Sequence, residues 1–408
     1  MYNFEKIIDR TKTNAMKLEG YKSYIFGADD SLELPFKDDE FIHMWVADME
    51  FAVAPEILSA INQRLGREIL GYTANYDDSL YKALRRWCKD RYNWDIKQEE
   101  LVTSDGVIPA LERLISYVVK PEEKVVFNTP GYGQFAMCAE RAEREYLTTD
   151  LIYNGDGTYD FDFEDLDKKL ARDDVSMFIL CNPHNPTGRV WTIDEMEKIA
   201  KLVKKHQVFL ISDEIHCDIR RKSAPKHIPM AKVMGDYAKM ATCMAASKTF
   251  NLAGLQQSAI FIRDEEIRKE WKSKYMGFLN PLSLEATIAA YNQGGKWLEE
   301  MSDYLDKNFK FMENFFKENL KDAIVTKSQT TYLGWVDLSK YFEKDEDVEL
   351  FFAKVGGILL EADKSFVGHA NRMIRLNLAC PRSYLKKGLE RIADALLNKH
   401  DEKFTDKR

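Results

Sequence analysis

The sequence predicts an α/β fold with a large, mostly parallel sheet and a second, smaller α+β domain. Its 408 residues exceed what one typical hydrophobic core holds, so two domains are expected. The middle of the chain alternates short apolar runs with helical stretches, which is typical of a parallel sheet covered on both faces. A proline-free stretch from about Leu282 to Leu320 predicts a long helix that ties the two domains together.

Short apolar runs predict the strands of the large sheet, because runs of this length without polar alternation are typical of strands buried on both faces. A helical spacing of apolar residues from Glu195 to Gln207 places a helix between the third and fourth of these strands along the chain. The predicted strands are Leu101–Ser104, Lys124–Asn128, Met177–Cys181, Val208–Ser212, Met240–Met244 and Ser258–Arg263.

The smaller domain is expected at the C-terminal end. The long helix is expected to break at Gly294 and Gly295, and two short strands, Tyr332–Leu338 and Met373–Leu378, precede a terminal amphipathic helix. We therefore predict an N-terminal segment that packs with the small domain, a large domain and a small domain, at residues 1–49, 50–290 and 291–408.

Composition and charge narrow the class of protein. Hydrophobic residues make up 45% and charged residues 31%, as in ordinary globular proteins, and the formal charge of −8 disfavours a nucleic-acid surface. No window resembles a membrane helix, and the acidic, apolar-poor start does not fit a signal peptide. The scattered cysteines form no CxxC pair, so we expect reduced thiols, a cytoplasmic location and no metal site: Cys88, Cys138, Cys181, Cys217, Cys243 and Cys380.

Lys248 is the first candidate for chemistry. It follows the apolar strand Met240–Met244 directly, within Ala-Ala-Ser247-Lys248-Thr-Phe-Asn-Leu-Ala-Gly. Such a placement delivers an amine to the edge of a sheet, where desolvation lowers its pKa and leaves it neutral enough to form a Schiff base with an aldehyde. For one lysine alone, a solvated surface position is the more frequent explanation.

The order Asn182, Asp213, Lys248, with gaps of 31 and 35 residues, resembles the fold-type I enzymes that use pyridoxal phosphate (PLP), the aspartate aminotransferase superfamily. The segment Trp45-Val-Ala-Asp-Met-Glu-Phe51 is similar to a signature of the MalY/PatB branch of carbon–sulfur lyases, with Glu50 where the pattern has aspartate. The resemblance runs from about residue 2 to 398. It implies a seven-stranded sheet, bound PLP and a homodimer with shared active sites.

Three residues are expected around the cofactor ring. Asp213 follows an apolar strand, where ligands of open α/β sheets bind, and its carboxylate would pair with the protonated pyridine nitrogen. Asn182 would donate its amide to the phenolate oxygen, although Asn-Pro-His-Asn-Pro-Thr-Gly is also a plain turn cluster. The resemblance places His216 near the same oxygen.

Further candidates are expected at the phosphate and the ring face. Gly106 and Val107 lie between a strand and a helix start, and backbone N–H groups at a helix N-terminus bind phosphate. Ser247 would add a hydroxyl. The resemblance implies that Tyr132 stacks on the ring and that Tyr72 reaches the phosphate of the neighbouring subunit.

Arg375 is the expected anchor for a substrate carboxylate. It alternates with Ile374 and Leu376 in a predicted strand, and an arginine fork holds a carboxylate through two parallel hydrogen bonds. The resemblance then implies β-elimination from an S-substituted L-cysteine such as L-cystathionine, giving a thiol, pyruvate and ammonia. An aminotransferase would use the same residues, and a PLP-binding regulator with little catalysis is the third hypothesis.

Overall fold

The computed structural model describes residues 1–29 and 31–400. Its strands, in chain order, are β1 (Ile42–His43), β2 (Leu101–Ser104), β3 (Lys124–Thr129), β4 (Gly131–Tyr132), β5 (Glu145–Tyr153), β6 (Tyr159–Phe161), β7 (Val175–Cys181), β8 (Phe209–Asp213), β9 (Met240–Met244), β10 (Ser258–Ile262), β11 (Ile324–Val325), β12 (Leu333–Asp337), β13 (Ile358–Leu359), β14 (Phe366–Val367) and β15 (Met373–Asn377). The six strands predicted for the large sheet are all present, with ends shifted by no more than two residues.

The helices alternate with the strands of the large sheet and then dominate the later part of the chain. They are α1 (Met16–Glu19), α2 (Tyr21–Phe26), α3 (Pro55–Leu65), α4 (Ser79–Tyr92), α5 (Val107–Val118), α6 (Gly133–Arg141), α7 (Phe163–Leu170), α8 (Ile193–His206), α9 (Met230–Val233), α10 (Ala246–Phe250), α11 (Glu265–Lys274), α12 (Pro281–Gln293), α13 (Gly295–Asn319), α14 (Val348–Phe351) and α15 (Arg382–Leu397).

The large sheet has the order β2-β10-β9-β8-β7-β3-β5-β6. The pairs from β9 through to β5 are parallel, whereas β10 runs antiparallel to both of its neighbours. This confirms the predicted α/β class with a mostly parallel sheet. The eighth strand, β6, is a three-residue hairpin partner of β5 behind a turn with two left-handed glycines, Gly155 and Gly157. It is too short to give a periodic signal in the sequence. β5 was not predicted either, because its nine residues are mostly half-buried or exposed and form no continuous apolar run.

The predicted break in the long helical stretch is confirmed. α12 ends at Gln293 and α13 begins at Gly295, with Gly294 between them. A Cβ at Gly294 would stand 2.4 Å from a ring carbon of Phe250 and 2.6 Å from the carbonyl oxygen of Ala290. Glycine is therefore required there, because the aromatic ring that follows Lys248 packs directly on the helix junction.

The N-terminal segment packs on the C-terminal part of the chain. β1 pairs in parallel with β13, and Tyr21, Phe41 and Trp45 form a small apolar cluster with Ala353 and Leu359. These contacts support the packing of the N-terminal segment on the C-terminal part of the chain; the boundaries at residues 49 and 290 stay a proposal, and residues 401–408 of the last unit lie outside the described residues. Within the described ranges, no helix combines the length and the apolar character that a membrane span requires.

Candidate active site

A cavity of about 200 Å³ lies at the carboxyl ends of the parallel strands. Ligands bind at this edge in open α/β sheets, because the loops that leave parallel strands converge there. Eight of the ten predicted site residues line it: Gly106, Val107, Tyr132, Asp213, His216, Ser247, Lys248 and Arg375. A larger cavity of about 570 Å³ lies along the N-terminal segment, and none of the ten lines that one.

Lys248 lies in the short helix α10, directly after β9. Its Nζ donates to the backbone carbonyl of Ala47, 2.7 Å away. Although the residue as a whole is only half-buried, its amine is enclosed, and this burial lowers its pKa to about 8. The nearby Arg375 guanidinium also lowers the pKa, whereas the carboxylates of Asp48, Glu361 and Asp213 oppose the shift. A substantial fraction of the amine is therefore neutral near pH 8 and able to act as a nucleophile or base.

Asp213 ends β8, between Cys181 of β7 and Cys243 of β9 in register. The carboxyl group accepts a hydrogen bond from the backbone N–H of Ile215 at 3.2 Å. Burial among apolar neighbours raises its pKa to about 7, and the Glu214 carboxylate adds to this. Ionising a carboxyl in this buried position costs free energy unless a cation lies beside it. A protonated ring nitrogen bound in the cavity would be such a cation.

One end of the cavity is formed by backbone and a hydroxyl. Gly106 precedes the 12-residue helix α5 with φ +140°, and Val107 is the first residue of that helix. The open N–H groups of a helix N-terminus and the hydroxyl of Ser247 suit an anion such as phosphate. Asp105 lies at the same end, with its carboxylate 2.9 Å from the Arg113 guanidinium, which offsets its charge.

His216 and Tyr132 both line the cavity. Burial lowers the pKa of His216 to about 3, with Lys248 adding to the shift, so the imidazole is neutral. Among the described residues its Nδ1 has no hydrogen-bond partner. The ring of Tyr132 packs edge-on against Phe135, with ring centroids 6.2 Å apart. A neutral imidazole with an open ring nitrogen and an aromatic wall are compatible with a bound heteroaromatic ring.

Arg375 projects from β15 and is only 2% exposed. Its Nη1 donates to Asn185 Oδ1 at 3.0 Å, and its Nη2 forms an ion pair with Glu361. Burial lowers the pKa of Arg375, but the Glu361 carboxylate outweighs this, so the pKa is raised overall. Its Nε has no partner within the described ranges. An unpaired donor on a permanently charged group fits an incoming carboxylate.

Asn182 does not reach the cavity, contrary to our expectation. Its amide nitrogen lies 3.4 Å from Glu214 Oε1 and 3.2 Å from the carbonyl oxygen of Ile228, in the protein interior. The second asparagine of the same motif, Asn185, lines the cavity instead and contacts Arg375. The two side chains leave one tight turn in different directions, which the linear motif does not reveal. Asn185 therefore replaces Asn182 as the candidate for the predicted cofactor contact.

Tyr72 also lies outside the cavity. It is 92% exposed, and its ring packs on Phe278 with centroids 5.2 Å apart. An exposed tyrosine on this chain is what a contact with a second subunit would require, but the single chain does not test that contact. The proposed reach of Tyr72 to a partner's phosphate stays a prediction.

Two further residues at the site escaped the sequence reasoning. Ala47 offers its backbone carbonyl to both Lys248 and the hydroxyl of Tyr332. It lies inside the Trp45–Phe51 signature. That signature indicates the family, but it does not indicate that the carbonyl of Ala47 contacts Lys248. Glu361, the ion-pair partner of Arg375, carries no local motif, and only the folded chain brings it to the site.

Comparisons with known proteins agree with this geometry. The family described as aminotransferase class I and II matches residues 40–392. Cystathionine beta-lyase PatB of Bacillus subtilis is 36% identical over 97% of this chain and 100% of its own, and protein MalY of Escherichia coli is 32% identical over 97% and 99%. The PLP-bound C-S lyase of Staphylococcus hominis in complex with L-cycloserine superposes with a TM-score of 0.94 at 43% identity, covering 97% of this chain and 98% of that one.

Proposed function

Because this chain belongs to the class I and II aminotransferase family, we propose that it is a PLP-dependent carbon–sulfur β-lyase acting on L-cystathionine or related S-substituted L-cysteines. The observation that carries the proposal is the enclosed amine of Lys248 in one cavity with the buried carboxyl of Asp213. The relatives named cystathionine beta-lyase and C-S lyase favour elimination over the family's other reactions.

The cavity residues fit PLP at each of its functional groups. Lys248 offers an amine for the aldehyde, Asp213 a carboxyl for the ring nitrogen, and the α5 N-terminus with Ser247 donors for the phosphate. Asn185 and the open Nδ1 of His216 are available for the phenolate side. When bound, PLP serves as an electron sink that stabilises negative charge at the substrate's Cα.

The chain's own residues supply binding and proton transfer. Arg375 binds the substrate carboxylate and thereby fixes the orientation of the Cα–H bond. The substrate amine would take the place of Lys248 on the aldehyde carbon, and the freed lysine would then remove the Cα proton, which its lowered pKa allows near neutral pH. The Asp213 carboxylate would stabilise positive charge on the bound ring. A thiolate leaves from Cβ, and the remaining three-carbon fragment is hydrolysed to pyruvate and ammonia.

We further propose a homodimer with shared active sites. Six of the large apolar side chains that are exposed on this chain lie in two segments that meet through Tyr72 and Phe278: Ile69, Leu70, Tyr72, Tyr76, Met276 and Phe278. Exposed apolar groups of this size favour burial against a partner.

The six cysteines are all free and buried, which supports a reducing, cytoplasmic setting for this dimer.

The decisive test is the product formed from L-cystathionine when no 2-oxo acid is supplied. A β-lyase releases pyruvate, ammonia and homocysteine in equal amounts under multiple turnover. An aminotransferase stops after one turnover until a 2-oxo acid is added, and a regulator without catalysis releases nothing. Lys248→Ala is the matched control, because it removes the amine from α10 while leaving Asp213 and Arg375 in place.

A further inference from the structure

The guanidinium of Arg375 is already engaged by this chain before any substrate arrives. Both of its terminal nitrogens have acceptors: Asn185 holds Nη1 and the Glu361 carboxylate holds Nη2. Arg375 and Glu361 are each 2% exposed, so water does not screen this ion pair. The backbone N–H of Arg375 also donates to the carbonyl of Glu361 at 2.7 Å, which keeps the two residues adjacent.

A second carboxylate at this arginine meets a geometric difficulty. A guanidinium binds a carboxylate through two nitrogens along either of two edges, and Nη2 belongs to both edges. A substrate that uses the unpaired Nε for such a fork must therefore share Nη2 with Glu361 or displace Glu361 from it. Two carboxylates then face one positive charge in a buried site, where like charges repel strongly.

The neighbouring groups do not remove this conflict. Lys248 lies close enough for Glu361 to influence its pKa, but its amine is substantially neutral near pH 8. Tyr24 of α2 and Tyr132 of β4 also face the pair. Burial raises the pKa of each phenol and the Glu361 carboxylate adds to this, so both remain uncharged. Arg375 is thus the only permanently charged cation among the groups facing Glu361 that we identify in the described part of the chain.

We propose that Glu361 is an internal competitor for Arg375 that lowers the affinity of the site for carboxylate ligands, so that a ligand with no second anchor fails to occupy it. It lowers the binding affinity of any ligand that is held only through a carboxylate. Ligands that gain additional binding energy, from the amine and from the group beyond sulfur, overcome the competition. Simple carboxylates, including 2-oxo acids that would act as amino-group acceptors, are held weakly. This inference rests on the proposed function, since it assumes that Arg375 binds the substrate carboxylate.

The test is the affinity of the holoenzyme for propionate, which carries a carboxylate but neither amine nor sulfur. Glu361→Gln removes the charge and keeps the shape of the side chain. We expect calorimetric titration to show propionate binding at least about tenfold tighter in this variant, as the loss of a buried like-charge contact predicts. The KM for L-cystathionine should fall in the same direction, while kcat changes by less than about threefold.

Glu349→Gln is the matched control. Glu349 is an equally buried acid in the same part of the chain, but it accepts a hydrogen bond from the backbone N–H of Ala362 at 2.8 Å and does not contact Arg375. It should leave propionate affinity unchanged. Glu361→Asp, which withdraws the carboxylate by one methylene, should also tighten propionate binding and replaces the glutamine variant if that one does not fold.

The possible outcomes distinguish a failure of the competition proposal from a failure of the proposed function. If Glu361→Gln binds propionate equally or more weakly, Glu361 only positions Arg375 and the competition proposal is wrong. If Arg375→Lys has no effect on propionate affinity in either background, the carboxylate anchor itself is misassigned. Tighter binding in Glu361→Gln that is lost again on adding Arg375→Lys supports both.

Discussion

Lys248 Nζ lies 2.7 Å from the carbonyl oxygen of Ala47, a residue 201 positions earlier in the chain. The Ala47 carbonyl is held in place, because Tyr332 donates its hydroxyl to it at 2.8 Å and Asn377 donates to the carbonyls of Val46 and Asp48 on either side. Val46 adopts a left-handed φ of +38°, which turns this segment toward the cavity. The N-terminal segment thus orients the reactive amine before the cofactor binds.

The first prediction concerns the pH dependence of cofactor uptake. Only the neutral amine of Lys248 attacks an aldehyde, and its pKa is lowered to about 8. The rate constant for PLP incorporation into the cofactor-free protein should rise about tenfold per pH unit below pH 8 and level off above it. Stopped-flow absorbance measures this rate. A rise that continued to pH 10 would mean that the amine is not desolvated.

Asp213→Asn should raise the stability of the cofactor-free protein at pH 8 and lower its activity with PLP. The pKa of this carboxyl is raised to about 7 in the folded chain, so its ionisation destabilises the folded state. The destabilisation grows from about pH 4 to pH 7 and stays constant at higher pH. The cofactor-free variant should therefore melt at a higher temperature than the wild type at pH 8 and at the same temperature near pH 4. Its turnover with PLP should fall by about 10²-fold or more, by analogy with other preorganised charges.

The two asparagines of the Asn182–Asn185 motif should respond differently to alanine. Asn185→Ala removes a cavity-lining amide that contacts Arg375, so it should lower kcat/KM for L-cystathionine strongly while the protein stays folded. Asn182→Ala removes the donor to the buried carbonyl of Ile228 and should reduce the free energy of unfolding by about 1–3 kcal/mol, whereas Glu214 Oε1 keeps its donors on Ser212 and Met230. Steady-state kinetics and denaturant titration of both variants check this, and the reverse pattern would restore our original assignment of Asn182.

Arg375→Lys keeps the charge but loses the planar fork. We expect KM for amino-acid substrates to rise by about tenfold or more, with a smaller change in kcat. Arg372→Lys is the control, because Arg372 binds the carbonyls of Ser339 and Phe342 outside the cavity. An unchanged KM in Arg375→Lys would point to another carboxylate anchor.

Tyr72 tests the shared active site. If its hydroxyl reaches the phosphate of a partner subunit, Tyr72→Phe should weaken PLP affinity by about 1.5–3 kcal/mol, as for a hydrogen bond to a charged group. Mixing an inactive Tyr72 variant with Lys248→Ala should then restore part of the activity, because a hybrid dimer carries both defects at one site and neither at the other. With subunit exchange verified by a tagged chain, the absence of rescue would place Tyr72 in its own subunit's site or outside the site altogether.

The sequence alone determined the fold class and singled out Lys248 as the candidate for Schiff-base chemistry. Strands buried on both faces read as continuous apolar runs, and each signal is contained in a few neighbouring residues, as in β7 and β9. The same local order located Lys248 and Asp213 at strand ends, because a chain that leaves a parallel strand must do so at the sheet's carboxyl edge. Two strands of the large sheet were missed: β5, whose nine residues are mostly half-buried or exposed and form no continuous apolar run, and β6, whose three residues carry no period.

Only the tertiary structure decided which groups meet inside the cavity. Asn182 and Asn185 are equivalent in the linear motif, and the turn between them sends one amide to Glu214 and the other to Arg375. Ala47 and Glu361 reach the site through pairing between distant segments, β1 with β13 and Glu361 with Arg375. Such contacts depend on the packing of elements far apart in sequence, and no local pattern of residues encodes them.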